Sequence, residues 1–270
     1  MLTNTLPAGR WPVYGVTVLF DQVFVVRHRI REVEVHDSNT FNLTSCLPIG
    51  GWACPSDLTS CSKFRCLYIA NWRGSDVILR MELDGATTRW KVNDVPYGLS
   101  VTPDPDFHLL VTCRDARKLK EFTTNGTLVR EIRLQEDLVL SVHAIQFDSQ
   151  FIVSHGWCHS DLLHCVCIVN STGRVTRCYG GPPGSAVGQL NAPHHLAVDG
   201  EGNVLVADFD NKRVLLLNKT LDYVGELVST QNSGRSGLKL LRLCLDVSRG
   251  RLFVTDGGQN DVLVFKVRDG

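Results

Sequence analysis

The stretch His195-Leu-Ala-Val-Asp-Gly-Glu-Gly-Asn-Val-Leu-Val-Ala-Asp-Phe-Asp-Asn-Lys-Arg-Val-Leu-Leu-Leu217 holds three short apolar runs separated by two turn signals. Leu196-Ala-Val-Asp reads as a strand and Glu201-Gly-Asn as a turn. Val204-Leu-Val-Ala then reads as a second, more apolar strand. Asp208-Phe-Asp-Asn-Lys makes a further loop, Arg213-Val-Leu-Leu-Leu a third strand, and Tyr223-Val-Gly-Glu-Leu-Val a fourth. Apolar runs this short, bounded by Gly, Asn and Asp, are strand chemistry rather than helix.

The unit repeats along the chain. A small or polar residue precedes an apolar one at Gly15-Val16, Asp57-Leu58, Gly98-Leu99, Ala144-Ile145, His195-Leu196 and Arg242-Leu243. The first members stand 42, 41, 46, 51 and 47 residues apart. Each pair is followed by an apolar second strand: Val23-Phe-Val-Val, Leu67-Tyr-Ile-Ala, Leu109-Leu-Val-Thr, Phe151-Ile-Val-Ser, Val204-Leu-Val-Ala and Leu252-Phe-Val-Thr. A period of this size with several strands per unit predicts an all-β fold, a six-bladed β-propeller of four-stranded antiparallel blades. The expected blades cover residues 11–50, 51–92, 93–135, 136–180, 181–230 and 231–267 of one propeller spanning 1–270. Blade six ends after its third strand, which would leave an open edge. Leu2–Leu6 is strand-like and is expected to close the ring as the outer strand of that blade.

Composition narrows the function classes. Lys+Arg and Asp+Glu both number 28, so a uniformly basic nucleic-acid binder is disfavoured, while a local basic patch is not. No apolar stretch is long enough to span a membrane as a helix. Met1-Leu-Thr-Asn-Thr-Leu lacks the basic segment and apolar core of a secretory leader. That predicts a cytoplasmic chain, standing alone as a monomer or forming part of a longer protein. The ten cysteines are accordingly read as reduced thiols, several of them serving as small hydrophobes in strands. Cys54–Cys61 and Cys61–Cys66 are the first pairs to examine for a disulfide. Four Asn-x-Thr sequons, at Asn42, Asn125, Asn170 and Asn218, fall between third and fourth strands, where Asn and Thr are turn chemistry.

Residues 180–217 also carry Gly188-Gln-Leu-Asn-Ala-Pro-His-His-Leu-Ala-Val-Asp, a Gly turn, and Val206-Ala-Asp-Phe-Asp-Asn-Lys-Arg-Val. This resembles an NHL repeat. Blade six keeps Leu245-Asp246, Phe253-Val-Thr-Asp256, Asn260 and Val262, whereas the other blades match mainly in period. The chain is thus similar to the six-bladed propeller that ends the TRIM-NHL proteins. That resemblance implies a module binding protein or RNA, often as the substrate-recruiting part of a ubiquitin ligase. The RING, B-box and coiled-coil segments of those proteins have no counterpart here. The likeness to six-bladed lyases and lactonases with an axial metal is architectural, since their ligand motifs do not occur.

In a propeller, the start of each inner strand and the end of the second strand share one face. That rule places Tyr14, Asp57, Tyr97, His143, His194, His195 and Arg242 around the channel mouth, with Ser56 beside Asp57. His155 joins them from the end of a second strand, and Trp72, Arg73, Arg114, Arg117, Trp157 and Phe209 from the second-to-third-strand loops. Aromatics, Arg and His on one rigid face suit recognition. His143, His194, His195 and His155 are candidates to converge near the axis, and are read as neutral channel-lining side chains rather than as metal ligands. Asp208, Asn211 and Asp256 are expected to cap their own turns. No nucleophile elbow, phosphate loop or His-Glu-x-x-His helix occurs.

The leading expectation is a non-catalytic module without cofactor or metal, docking a protein or peptide on this face. An RNA-binding propeller is the alternative, resting on Arg27, Arg29, Arg31, Arg73, Arg114, Arg117 and Lys118. The third reading is a metal-dependent lyase or hydrolase on the axis.

Overall fold

The computed structural model describes residues 1–51, 54–71, 75–156 and 162–267. Strand β1 (Leu2–Leu6) precedes blade one, which consists of β2 (Val13–Leu19), β3 (Gln22–Arg27), β4 (Glu32–Asp37) and β5 (Leu43–Pro48). Blade two is β6 (Pro55–Cys61), β7 (Cys66–Asn71), β8 (Val77–Glu82) and β9 (Thr87–Lys91). Blade three is β10 (Gly98–Val101), β11 (Leu109–Cys113), β12 (Lys118–Phe122) and β13 (Leu128–Arg133). Blade four is β14 (Ser141–Phe147), β15 (Gln150–His155), β16 (His164–Val169) and β17 (Val175–Gly181). Blade five is β18 (Pro193–Val198), β19 (Val204–Asp208), β20 (Arg213–Leu217) and β21 (Tyr223–Val228). Blade six contains β22 (Leu240–Asp246), β23 (Arg251–Asp256) and β24 (Asp261–Lys266).

The strands form six four-stranded antiparallel sheets, and the sixth has the order β1-β24-β23-β22. The expected closure by the N-terminal strand is therefore borne out. β1 pairs antiparallel with β24, with Leu6 opposite Val262. Arg27 fastens the segment that follows, donating to the carbonyls of Pro7 at 3.0 Å and Asn260 at 2.6 Å. It also pairs with Glu34 at 2.7 Å.

The apolar runs of the second and third strands follow from what lies on either side of them. Side chains alternate across a strand, and here both faces are buried. Val23 and Val25 pack toward blade six with Leu6, Phe253 and Val264, whereas Phe24 and Val26 pack toward blade two with Leu67 and Ile69. Six such clusters exist, one in each gap between blades. The core is thus a ring of inter-blade layers around the axis.

Three expectations are corrected. First, the register aligns Ala144 with Val153, equivalent to Val16 with Val25 and Leu58 with Ile69. The residue in blade four equivalent to Gly15 and Asp57 is therefore His143, one before the expected Ala144. Second, the cysteines are not all reduced: Cys167 and Cys178 form a disulfide. They face each other on β16 and β17, because a bulge between Ile168 and Val169 shifts the hairpin register by one residue. Cys61 and Cys66 do face each other across β6 and β7, but both are free thiols, as is Cys54. Third, Asp208 does not simply cap its own turn: it accepts from the Asn191 amide at 2.7 Å and pairs with Arg213 at 2.8 Å. Asp256 does bond within its turn, to Gly258, and also takes the Lys239 amide at 2.9 Å. Among the described residues, no helix is long and apolar enough to cross a membrane.

Candidate functional site

Six equivalent residues meet at the axis: Gly15, Asp57, Gly98, His143, His195 and Arg242. In five of the six blades the inner strand bulges at this point, between Val13 and Gly15, Pro55 and Asp57, Ser141 and His143, Pro193 and Leu196, and Leu240 and Leu243. A bulge re-aims the side chain, here toward the centre. The two glycines leave room for the other four. A Cβ on Gly98 would stand 2.5 Å from the Val142 carbonyl oxygen and 3.1 Å from the His143 ring.

Those four side chains bind one blade to another. Arg242 reaches across the axis to Asp57 at 3.0 Å and to the Ser56 carbonyl. It also donates to His194 Nδ1 at 2.6 Å. Asp57 accepts the Leu58 amide at 3.0 Å and the Leu99 amide of the next blade at 2.8 Å. His143 Nε2 donates to the Leu99 carbonyl at 3.0 Å, and its Nδ1 accepts the Leu196 amide at 3.4 Å. His195 Nδ1 accepts the Leu243 amide at 3.4 Å, its Nε2 lies 3.7 Å from Asp57, and its ring stacks on that of His143 at 3.7 Å.

Burial by itself would raise the Asp57 carboxyl. The charge of Arg242, with His195 and His143 close by, overrides burial and holds it below the ordinary carboxylate range. Burial depresses His143 and His194 well below their ordinary value, aided by His195 for the first and Arg242 for the second. His195 is depressed less, because Asp57 offsets part of the burial effect. Burial thus favours the neutral form of all three rings at pH 7. Asp57, His143 and His195 offer ligand atoms within 4.8 Å of one another. They do not fit a metal ion, because their lone pairs already serve Arg242 and the backbone amides of neighbouring blades.

Above this plug the channel opens into a pocket of about 340 Å³. Its walls are Pro12, Tyr14, Tyr97, Phe209, Leu241 and Gly257, and its polar lining is Ser56, His194, Arg242, Arg114 and Lys239. Arg114 lies over the Tyr97 ring at 4.6 Å, and the His194 and Phe209 rings are 5.9 Å apart. Burial raises the Tyr97 hydroxyl above its ordinary value, so it stays protonated. No Asp or Glu lines the pocket among the described residues. The Ser56 hydroxyl, on a residue only 2 % exposed, has no hydrogen-bond partner.

Six expected residues therefore stand together at the mouth: Tyr14, Tyr97, Arg114, His194, Phe209 and Arg242. Asp57, His143 and His195 lie beneath it as its foundation. His155 belongs elsewhere: it is buried within blade four, its Nε2 3.6 Å from the Cys167 sulfur, because the second strand carries it outward from the axis. Arg117 reaches the connection between β13 and β14, donating to the Glu136 carbonyl at 3.1 Å, and does not line the pocket. Trp72, Arg73 and Trp157 lie outside the described residues. Of the basic set behind the RNA reading, Arg27 is buried against Glu34, and Lys118 pairs with Glu131 at 2.8 Å. Lys239, Leu241 and Gly257 were not among the expected site residues. Leu241 precedes Arg242 as Tyr14 precedes Gly15, so counting back one residue at each bulge would have found it.

No known protein-family profile matches the chain, so the NHL resemblance rests on the residues of blades five and six alone. Solved structures match the fold. Selenomethionine-substituted virginiamycin B lyase from Staphylococcus aureus is 12% identical with a TM-score of 0.68, over 99% of this chain and 89% of that one. A streptogramin B lyase structure is 13% identical at 0.68, over 99% of this chain and 87% of that one. Kuenenia stuttgartiensis hydrazine synthase is 15% identical at 0.68, over 99% of both chains. At these identities the likeness shows the fold. It corrects the expectation of a non-catalytic chain, because proteins named as lyases share this architecture over nearly its full length. The lack of familiar enzyme motifs therefore does not exclude catalysis.

Proposed function

We propose that the chain is a docking propeller whose channel mouth receives a segment of a protein partner, with an apolar side chain and an anionic group seated in the pocket. The observation that carries this reading is the composition of the lining among the described residues: three aromatic rings, two of them tyrosines, with Arg114, Lys239 and Arg242, and no carboxylate. Rigid aromatics supply contact area at little entropic cost, and cations without acids select a negative partner. The charge of Arg242 is compensated by Asp57 and its nitrogens are committed, and Arg114 pairs with Asp115 at 3.0 Å, so Lys239 is the cation that meets the partner first, with Arg114 beside it. Trp11, beside Pro12, extends the surface on the blade-one side, with Arg29 over its ring at 5.0 Å. The NHL-like sequence of blade five supports the same reading.

A displayed library of random dodecapeptides tests it. Binders enriched in acidic and apolar residues are expected, and Tyr97→Ala with Lys239→Glu is expected to weaken them at least tenfold. The mass of each recovered peptide, before and after incubation, shows whether the mouth also alters what it binds. A library without binders, alongside RNA binding that falls steeply with salt, would replace this reading with the nucleic-acid one.

A further inference from the structure

We infer that the channel mouth reads the C-terminal end of its partner, a free carboxylate behind an apolar last residue; this rests on the docking reading above. Three observations lead there. The first is that the pocket is a dead end. Arg242 and Asp57 are bonded across the axis, and the His143 and His195 rings stack beneath, each of the four residues less than 9 % exposed. A chain can enter this mouth but cannot pass through it. At about 340 Å³ the pocket is at the small end of the ligand-site range and holds one or two side chains rather than a looped segment. Only a chain terminus can place its last backbone atoms on the floor.

The second observation is the sign of the lining. A peptide ends in either an ammonium or a carboxylate. Lys239 and Arg114 stand in the wall, with Asp115 pairing Arg114 at 3.0 Å from outside the lining, and no acid lines the pocket among the described residues, so the ammonium would be repelled and the carboxylate attracted. The third is the floor itself. The Ser56 hydroxyl is a buried polar group that lines the pocket and has no partner within the protein. Such groups are rare in folded proteins unless a ligand or water completes them. A carboxylate oxygen accepts from a hydroxyl, and capture of a terminal carboxylate is an established mode of peptide recognition. Tyr14, Tyr97, Phe209 and Leu241 then surround the last side chain, which selects an apolar or aromatic residue.

The test uses the full chain, two labelled probes and one unlabelled competitor in fluorescence anisotropy. They are a hexapeptide pool ending in Phe or Leu with a free carboxylate, the same pool with C-terminal amides, and N-acetyl-phenylalanine as a competitor. The free-acid pool is expected to bind at least about tenfold more tightly than the amidated pool, the size of a lost charged hydrogen bond. Ser56→Ala, which removes only one oxygen, is expected to narrow that gap, and Lys239→Ala to narrow it further. Circular dichroism confirms that each variant is folded. Equal binding of acid and amide pools overturns the inference while leaving the docking reading in place. N-acetyl-phenylalanine competing as well as the peptides it displaces also overturns it, in favour of a small-acid pocket. If neither pool binds while the displayed library yields acidic internal segments, the inference fails and docking stands; failure of both sets refutes both.

Discussion

Arg242 is the residue on which the site rests. One guanidinium holds Asp57, the Ser56 carbonyl and His194 Nδ1, joining blades six, two and five across the axis. A buried ion pair contributes little over a well-packed apolar pair, but removing one partner strands the other charge. Arg242→Met is therefore expected to lower the unfolding free energy by about 3–5 kcal/mol. Asp57→Asn keeps an acceptor for one of the two amides that the carboxylate now serves. The double variant should accordingly lose markedly less than the sum of the two single losses, by more than about 1 kcal/mol. Urea midpoints of the four proteins measure this directly, and additive losses would show that the two side chains act independently. The cation also fixes the chemistry of the mouth: by donating to Nδ1 it leaves the N–H of His194 on Nε2 and keeps the ring neutral.

Two strands close what the inter-blade layers cannot. β1 supplies the missing edge of blade six and buries Leu6 completely in the layer between the last blade and the first. Leu6→Asp should bury an unpaired carboxylate at the seam. Hydrogen exchange should then quicken first in β24 and β2, whereas uniform loss of protection would argue against a seam that opens locally. At the outer side of blade four the Cys167–Cys178 bridge ties the edge strand β17 to β16 over a separation of 11 residues. A loop of that length corresponds to about 3 kcal/mol in the chain-entropy account. Reduction by a dithiol is expected to lower the melting temperature by several degrees and to free two alkylatable thiols. An unchanged melting curve after verified reduction would show that the blade layers alone hold β17.

At the scale of the whole molecule, the ring was readable because alternation in a doubly buried strand imposes near-continuous apolar runs, and six runs at an even period admit few architectures. The mouth was readable in outline for the same reason: strand polarity decides which loops share a face. What escaped was local. A one-residue bulge set Cys178 opposite Cys167, and no composition rule registers a bulge. The partner of Asp57 lies 185 residues away, beyond any spacing argument. The same long-range burial sets the acid response of the fold. His143, His194 and His195 all titrate below their ordinary value, and burial brings His155 down to about 4. An unfolded histidine takes its proton near pH 6.5, so below that pH the unfolded chain binds more protons than the native one and stability falls. His155 alone contributes about 3 kcal/mol of this loss between pH 6.5 and 4, from its shift at 1.36 kcal/mol per pKa unit. Asp57 works in the same sense at lower pH, since its depressed carboxyl contributes stability that is present above the unfolded carboxylate range and lost only in stronger acid. Urea unfolding at pH 7.5, 6.5, 5.5 and 4.5 should therefore show a decline steeper than one proton per unit, beginning near 6.5. His155→Phe should make it shallower by about one proton. A flat profile down to pH 5 would mean that the axial histidines are hydrated and titrate freely, and that the channel is open to water beneath its mouth.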